Sequence, residues 1–123
     1  MLNLVVIRVS DIERAREFYE TIGLEFERHQ HGTGLPHFAS VDKDGTGVTF
    51  EIYPSAGKST VDTRLGFRVS DVDRIVETLA AQGGSIIVTP KDSPWGRRAV
   101  MQDLDGHKVE LCDGGISDNP LPV

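Results

Sequence analysis

The chain has 123 residues, of which 38% are hydrophobic and 26% charged, which is typical of one globular domain and excludes disordered and low-complexity classes. Its formal net charge of −6 argues against nucleic acid as a partner. The single cysteine, Cys112, excludes an internal disulfide and a cysteine-based zinc site. No apolar run approaches the roughly 20 residues that span a bilayer. We therefore expect a cytoplasmic protein without a membrane segment.

The first half of the chain predicts a strand, a helix and three more strands. An extended run rich in β-branched residues covers Leu4 to Val9 and predicts the first strand. Ser10 follows as a helix N-cap, with Glu13 at the spacing of a capping box. Gly23 stands where a left-handed residue would end the helix. The remaining strands are predicted at about 24–30, 37–42 and 47–53.

The second half of the chain repeats the first. Arg8–Arg14 recurs as Arg68–Arg74, and self-similarity of this kind indicates duplication of one structural unit. By this correspondence Ser70 is the second helix N-cap and Gly83 ends the helix. The strands of this half are predicted at about 63–69, 85–89, 97–102 and 107–112.

Each half is a βαβββ unit, which cannot bury both faces of its own sheet. We therefore expect an α+β fold in which two tandem βαβββ modules form a cupped eight-stranded mixed sheet with the helices on the outer face. Module one covers residues 1–54, a linker covers 55–61, and module two covers 62–113 of a single domain, 1–113. Residues 114–123, which contain a Gly-Gly pair and two prolines, are expected to form a flexible tail.

Strand alternation predicts which side chains line the cup. Because neighbouring residues of a strand point to opposite faces, the apolar set Val5, Ile7 and Val9 should pack against a helix. The side chains expected to point inward are Leu4, Val6, Arg8, Thr49, Glu51, Tyr53, Arg64, Gly66, Arg68, Lys108, Glu110 and Cys112.

Several motifs recur between the halves or stand at their turns. They are Val9-Ser10-Asp11, Val69-Ser70-Asp71, Phe18-Tyr19, Gly23-Leu24, Pro94-Trp95-Gly96, Asp103-Leu104-Asp105-Gly106 and Val109-Glu110-Leu111. With them, roughly residues 2–113 resemble the vicinal oxygen chelate superfamily, which includes glyoxalase I, extradiol dioxygenases and bleomycin resistance proteins. Within the superfamily, these motifs are most similar to those of bleomycin-resistance-like members. The resemblance implies the fold more specifically than it implies an activity.

The resemblance also implies where a metal would be held. Metal-dependent members place one ligand early on the first strand and one late on the last strand of each half. The late positions correspond to Glu51 and Glu110, and the early ones to Leu4 and Arg64. Leucine has no donor atom, and arginine stays protonated and offers only N–H groups. We therefore expect no metal, no other cofactor and no catalytic residue.

Three residues have alternative roles. Arg64 forms a buried ion cluster with Glu51 and Glu110 that replaces the metal structurally, contacts a ligand, or does both. Arg8 contacts a ligand or extends to solvent. Trp95 lines the ligand crevice, as the resemblance implies for this turn, or anchors its loop by packing.

The histidines give little indication of chemistry. His29 and His31 are two residues apart near a turn, and we expect a surface position for them rather than a metal pair. His37 and His107 stand beside turns and are expected to have no catalytic role.

The sequence therefore predicts a metal-free protein that binds a small molecule, sequestering a toxic compound or an antibiotic. The residues expected to contact the ligand are Leu4, Arg8, Glu51, Tyr53, Arg64, Trp95 and Glu110. One alternative is a metal-dependent lyase, isomerase or dioxygenase of the same superfamily, and another is an interaction domain whose cup is filled. Edge strands favour a homodimer, and neither nucleic acid nor a membrane is an expected partner.

Overall fold

The structure, a computed structural model, describes residues 1–114. The predicted order of a strand, a helix and three strands occurs twice, so the α+β fold with tandem βαβββ modules is confirmed. The elements are β1 (Leu4–Val9), α1 (Ile12–Ile22), β2 (Phe26–His29), β3 (His37–Ser40), β4 (Thr49–Pro54), β5 (Arg64–Arg68), α2 (Val72–Ala81), β6 (Ser85–Ser93), β7 (Gly96–Gln102) and β8 (Lys108–Cys112).

The chain divides into two compact units, the first Met1–Val61 and the second beginning at Asp62. The stretch 55–61, predicted as a linker, belongs to the first unit. Apart from Gly114, the tail predicted at 114–123 lies outside the described residues.

Each module contributes one four-stranded mixed sheet. The strand orders are β1-β4-β3-β2 and β5-β8-β7-β6. The first and last strands of a module run parallel, and the other neighbours are antiparallel. Among the described strands, hydrogen-bonded pairing therefore stays within a module, and the eight strands are shared equally between the two sheets.

The helix of each module covers one face of its sheet, as the strand alternation predicts. In the first module the Tyr19 ring lies 5.1 Å from that of Phe50 and 5.2 Å from that of Phe18, centroid to centroid. The alternate β1 residues Ile7 and Val9 are fully buried. In the second module the buried side chains between helix and sheet are Val69, Val72, Val76, Leu79, Ala99, Met101, Val109 and Leu111. We call the opposite side of each sheet its helix-free face.

The helix starts differ from the prediction by one residue. The N-caps are Asp11 and Asp71 rather than Ser10 and Ser70, since Asp11 accepts hydrogen bonds from the backbone N–H groups of the second and third helical residues and Asp71 from that of Arg74. A carboxylate at a helix N-terminus also interacts favourably with the helix dipole. The predicted capping box from Ser10 to Glu13 is therefore wrong, although the strand-to-helix junction is where it was expected.

The helix ends follow the prediction closely. Gly23 caps α1 with a φ of 121°, a conformation that favours glycine. In α2 the cap is Gln82 with helical dihedrals, and Gly83, with a φ of 102°, follows it. The predicted positive-φ glycine is present in both modules, one residue later relative to the cap in the second.

Strand β6 is longer than the sequence predicts. The prediction ends at about 89, but the pairing with β7 continues past Pro90 to Ser93 after register shifts on either side of Val88. Because β6 lies at the edge of its sheet, one side of its backbone needs no partner and proline is tolerated there.

An aspartate organises the last hairpin turn of each module. Asp42 accepts hydrogen bonds from the N–H and hydroxyl groups of Thr46 and from the Gly47 N–H, and these bonds hold the pKa of its carboxyl below the ordinary value. Asp103 accepts from three backbone N–H groups and from His107 Nδ1. Both members of this second pair are buried.

Within residues 1–114, no helix has the length and apolar character needed to cross a membrane.

Candidate functional site

The helix-free face of the first sheet carries a stack of polar and aromatic side chains. The rings of His37 and Tyr53 lie nearly parallel, at an interplanar angle of 9° and 4.1 Å between centroids. The Arg8 guanidinium carbon lies 4.9 Å from the centroid of the Tyr53 ring, a cation–π distance. Arg8 also donates a 3.4 Å hydrogen bond to the Pro54 carbonyl. The structure thus brings the predicted site residues Arg8 and Tyr53 together.

Hydrogen bonds fix the imidazole of His37 in this stack. Its Nδ1 lies 3.0 Å from the carbonyl oxygen of Leu35. A carbonyl can only accept, so Nδ1 carries the proton in this arrangement. The Nε2 atom is then free to accept from the Tyr53 hydroxyl, 3.2 Å away. His37 is only 3% exposed, and its ordered surroundings make it a positioning element for the Tyr53 ring.

Glu51 lies beside the same imidazole. Its Oε2 atom is 3.7 Å from His37 Nε2, close enough for an ion pair when the imidazole is protonated. The Glu51 side chain is 19% exposed, and it stands directly opposite Val6 in the pairing of β1 with β4. Leu4, two residues earlier on β1, is 48% exposed. The first module therefore presents one partly accessible carboxylate and one accessible apolar side chain.

Three imidazoles gather at this end of the first sheet. The rings of His29, His31 and His37 are 5.7 to 5.9 Å apart, centroid to centroid. From the sequence, only His29 and His31 were considered as a pair, and His37 was expected to have no catalytic role. The antiparallel pairing of β2 with β3 sets His37 opposite His29 and so adds the third imidazole. The register of these two strands is the information that would have identified His37.

In the second module, Arg64 and Glu110 form an ion pair whose side chains are 51% and 30% exposed, so the pair is not the buried cluster that was predicted. Arg64 donates to Glu110 Oε1 from Nε, at 2.8 Å, and from Nη2. A second guanidinium, Arg98, donates to the same oxygen from Nη2 at 2.7 Å. Partial burial raises the pKa of the Glu110 carboxyl, but the hydrogen bonds and charges of the two arginines outweigh it, so the pKa is lower than usual. Sequence reasoning did not single out Arg98, which faces Glu110 from the neighbouring strand β7.

Trp95 lies in the turn between β6 and β7. It is half-buried, its carbonyl accepts from the Cys112 thiol at 3.3 Å, and its N–H donates to the Ser93 hydroxyl at 3.2 Å. The indole Nε1 is buried and has no hydrogen-bond partner among the described residues. A buried indole N–H ordinarily has a partner, so this group is available to one.

The four positions implied as metal ligands do not fit a metal ion. Leu4 has no donor atom, and Arg64 offers only N–H groups. The carboxylate of Glu110 is already bound by two guanidiniums. Among residues 1–114, no three histidine, cysteine, aspartate or glutamate side chains are arranged to hold a metal ion. These four positions therefore do not provide a complete set of metal ligands.

The fold has counterparts in known proteins. The model of the Glyoxalase/Bleomycin resistance protein/Dioxygenase superfamily matches residues 1–111. The chain belongs to this superfamily. In the solved structure of TnmS3, an antibiotic binding protein from Streptomyces sp. CB03234, the aligned chain is 29% identical, with a TM-score of 0.70, and the match covers 94% of this chain and 96% of that one.

Two curated relatives differ in how much of their length this chain spans. An uncharacterized protein of Mycolicibacterium smegmatis is 32% identical over 86% of this chain and 87% of its own length. A probable chloroplastic lactoylglutathione lyase of Arabidopsis thaliana is 28% identical over 95% of this chain, but the chain spans only 37% of that lyase. One relative is thus of similar size to this chain, and the other is more than twice as long.

Proposed function

We propose that this chain is a small-molecule-binding protein of the superfamily that works without a bound metal ion and sequesters a toxic compound or an antibiotic. The observation that carries the proposal is the Arg64–Glu110–Arg98 cluster, because a guanidinium occupies a ligand position and binds the carboxylate that a metal would need. The similarity to TnmS3, an antibiotic binding protein, supports a binding role.

We further propose that the ligand lies on the helix-free faces and contacts seven residues. They are Leu4, Arg8, Glu51, Tyr53, Arg64, Trp95 and Glu110. The cation–π contact of Arg8 with Tyr53 supports an aromatic binding surface. The indole N–H of Trp95 has no partner among residues 1–114, which supports a hydrogen bond from it to the ligand.

Trp95 provides the binding assay, because it is the only tryptophan of the chain. A panel of aromatic antibiotics and toxic organic compounds is titrated while the tryptophan emission is recorded, and Trp95→Phe serves as the signal control. We expect Arg8→Gln and Tyr53→Leu to weaken binding about tenfold or more. Arg74→Gln, an exposed charge change on α2, should leave binding unchanged. If no compound of the panel changes the tryptophan emission or raises the melting temperature of the protein, the result would favour an interaction domain without a ligand.

Metal independence is tested by elemental analysis of the protein purified from medium supplemented with zinc, nickel and manganese. We expect well under one metal ion per chain. Leu4→His with Arg64→His introduces a donor at each early position and should gain affinity for Zn²⁺, whereas Arg74→His should not. A stoichiometric metal ion in the wild-type protein would refute the proposal.

The alternative is a metal-dependent lyase, isomerase or dioxygenase, and the 28% identity to a probable lactoylglutathione lyase favours its lyase form. It is tested with a hemithioacetal of methylglyoxal and glutathione, with and without added divalent metal. Metal-dependent turnover that is lost in Glu51→Gln would establish the alternative, and no turnover under any condition would exclude the lyase.

We also propose a cytoplasmic homodimer. Leu4, Ile86 and Ile87 are 48%, 45% and 49% exposed, and all three lie on strands at the edges of their sheets, where a second copy could cover them. The lone cysteine supports a reducing compartment. Sedimentation equilibrium should give twice the mass of the chain, and Ile86→Glu with Ile87→Glu should shift the protein toward monomer if β6 is the interface.

A further inference from the structure

The helix-free face of the second sheet concentrates positive charge. Strand pairing sets Arg64 opposite Lys108 and sets both Arg68 and Arg98 opposite Cys112. Paired residues of neighbouring strands share a face, so these four cations lie on one side of the sheet. The adjacent Arg97 lies on the other side, because its guanidinium binds Asp73 of α2 at 2.9 and 3.0 Å.

Only one carboxylate lies among these cations. Glu110 is set opposite Gly66 and Val100, and it pairs with Arg64 and Arg98 through a single oxygen. Within residues 1–114, no acidic side chain forms an ion pair with Arg68 or Lys108. The face therefore has a surplus of positive charge, in a chain whose net charge is −6.

Much of this charge is accessible. The Arg64 side chain is 51% exposed and that of Arg98 is 26% exposed, while Arg68 is exposed and Lys108 half-buried. A guanidinium presents several N–H groups in a plane, of which Glu110 uses only one or two on each arginine. The remaining N–H groups can bind a second oxyanion.

A glycine leaves open space at the centre of the face. Gly66 lies between Arg64 and Arg68 on β5 and is opposite Glu110. A Cβ atom placed at Gly66 would have no heavy atom of residues 1–114 within 4 Å, apart from Gly66 itself and its chain neighbours. The sheet surface between the two arginines is therefore uncovered, and a ligand group can approach the backbone there.

The first module does not share this character. Its helix-free face carries one arginine, Arg8, whose guanidinium lies against the Tyr53 ring. Glu51 lies on the same face beside the His37 imidazole. The surplus of cations belongs to the second module alone, and it includes Arg64, at a position where the resemblance implies a ligand in metal-dependent relatives.

We propose that the helix-free face of the second sheet is an oxyanion-binding site, and that the ligand is an organic molecule whose carboxylate, phosphate or sulfonate group lies over Gly66 and is bound by Arg64, Arg68 and Arg98. This inference rests on the proposed small-molecule binding and adds to it the chemical class of the ligand. The Arg64–Glu110 pair keeps the arginine extended along the sheet, and Lys108 adds to the attraction.

The test compares two probes that share an aromatic scaffold. The anion 8-anilinonaphthalene-1-sulfonate and the neutral N-phenyl-1-naphthylamine are each titrated into the full-length protein at low and at moderate salt. We expect the sulfonate to bind at least about tenfold more tightly than the neutral probe, with an advantage that falls as salt is added. Amide NMR shifts caused by the sulfonate should be largest at Gly66 and its neighbours on β5 and β8.

Three variants locate the site. Arg68→Gln should weaken sulfonate binding about tenfold, whereas Arg74→Gln on α2, with the same change of charge, should not. Gly66→Val fills the open space without changing the charge, and β-branched residues suit strands, so it should retain the fold and its melting temperature while losing the sulfonate.

The outcomes separate the inference from the function on which it rests. Equal affinity for both probes, or binding of the neutral probe alone, would retain small-molecule binding and overturn the anionic ligand. Equal weakening by Arg68→Gln and Arg74→Gln would show attraction by overall charge and would overturn the site. Binding of neither probe would overturn both proposals.

Discussion

The buried turn of the second module gives the sharpest stability prediction. Asp103 Oδ1 accepts hydrogen bonds from the backbone N–H groups of Asp105, Gly106 and His107 at 3.0, 3.0 and 2.9 Å, and Oδ2 lies 2.8 Å from His107 Nδ1. The side chains of Asp103 and His107 are 3% and 0% exposed. Replacement of Asp103 by alanine removes this carboxylate from all four groups, although the Gly106 N–H keeps its 3.3 Å hydrogen bond to the backbone carbonyl of residue 103.

The magnitude follows from burial. A hydrogen bond to a charged group contributes about 1.5–3 kcal/mol, and a buried donor without a partner costs about 1–3 kcal/mol. Water can reach the N–H groups of the half-buried Asp105 and Gly106, so the four losses do not add in full. The imidazole of His107 stays out of reach of water, so the loss of its hydrogen bond to the charged carboxylate is not compensated, and together with the backbone bonds the total comes to about 3–5 kcal/mol. We expect Asp103→Ala to lower the free energy of unfolding by about that amount.

The repeat provides a matched control. Asp42 occupies the same turn of the first module and accepts three hydrogen bonds of 2.7 to 2.9 Å from Thr46 and Gly47, but it is exposed. Water replaces the carboxylate in Asp42→Ala, so its loss should be clearly smaller. Urea unfolding followed by circular dichroism at pH 7 measures both variants. If Asp42→Ala is as destabilising as Asp103→Ala, burial is not the cause and the reasoning is refuted.

Three further predictions follow from the caps, the ion pairs and the aromatic stack. Arg98→Gln should raise the pKa of Glu110 in a carbon-13 NMR titration. Because that pKa is lowered in the folded protein, the stability that Glu110 contributes should be complete above the ordinary glutamate range and be lost as the pH falls through the lowered value. Asp71→Ala should cost about 1 kcal/mol of unfolding free energy and Ser70→Ala less, and the reverse order in urea unfolding would contradict the cap assignment. Tyr53→Phe should cost about 0.5–1.5 kcal/mol through its lost hydrogen bond to the neighbouring imidazole, while Tyr53→Leu, which also loses the stack, should cost more in the same assay.

The order of the elements could be predicted because the same pattern occurs in both halves of the sequence. A strand ending in Val9 or Val69 is followed by a polar junction and an amphipathic helix. The elements assigned in one half therefore constrain the assignment in the other. The helix caps could not be assigned in the same way. Ser10 and Asp11 are both good N-caps, and only backbone geometry decides that Asp11 takes the position.

The partners within the site were predicted only where strand alternation was sufficient. Alternation placed Arg64 and Glu110 on one face, and their ion pair followed from opposite charge. It could not identify Arg98 or His37, because both are contributed by neighbouring strands whose register is set by turns of variable length. A contact with a residue on a neighbouring strand can be predicted only when the register of the two strands is known.

The proposed metal independence and the proposed anion site are connected through one residue. Arg64 stands where the resemblance to metal-dependent relatives implies a ligand, and as a permanent cation without a donor lone pair it disfavours a metal dication and favours an oxyanion. The Glu110 carboxylate, which would hold the metal, instead orients two guanidiniums through Oε1. Arg64→Gln should therefore weaken binding of the sulfonate probe without creating a metal site. The glutamine amide adds one neutral donor beside a carboxylate that Arg98 still binds, whereas zinc needs three or four ligands. Metal binding in that variant would show that charge alone had kept the metal out, and the two effects of Arg64 would then have separate origins.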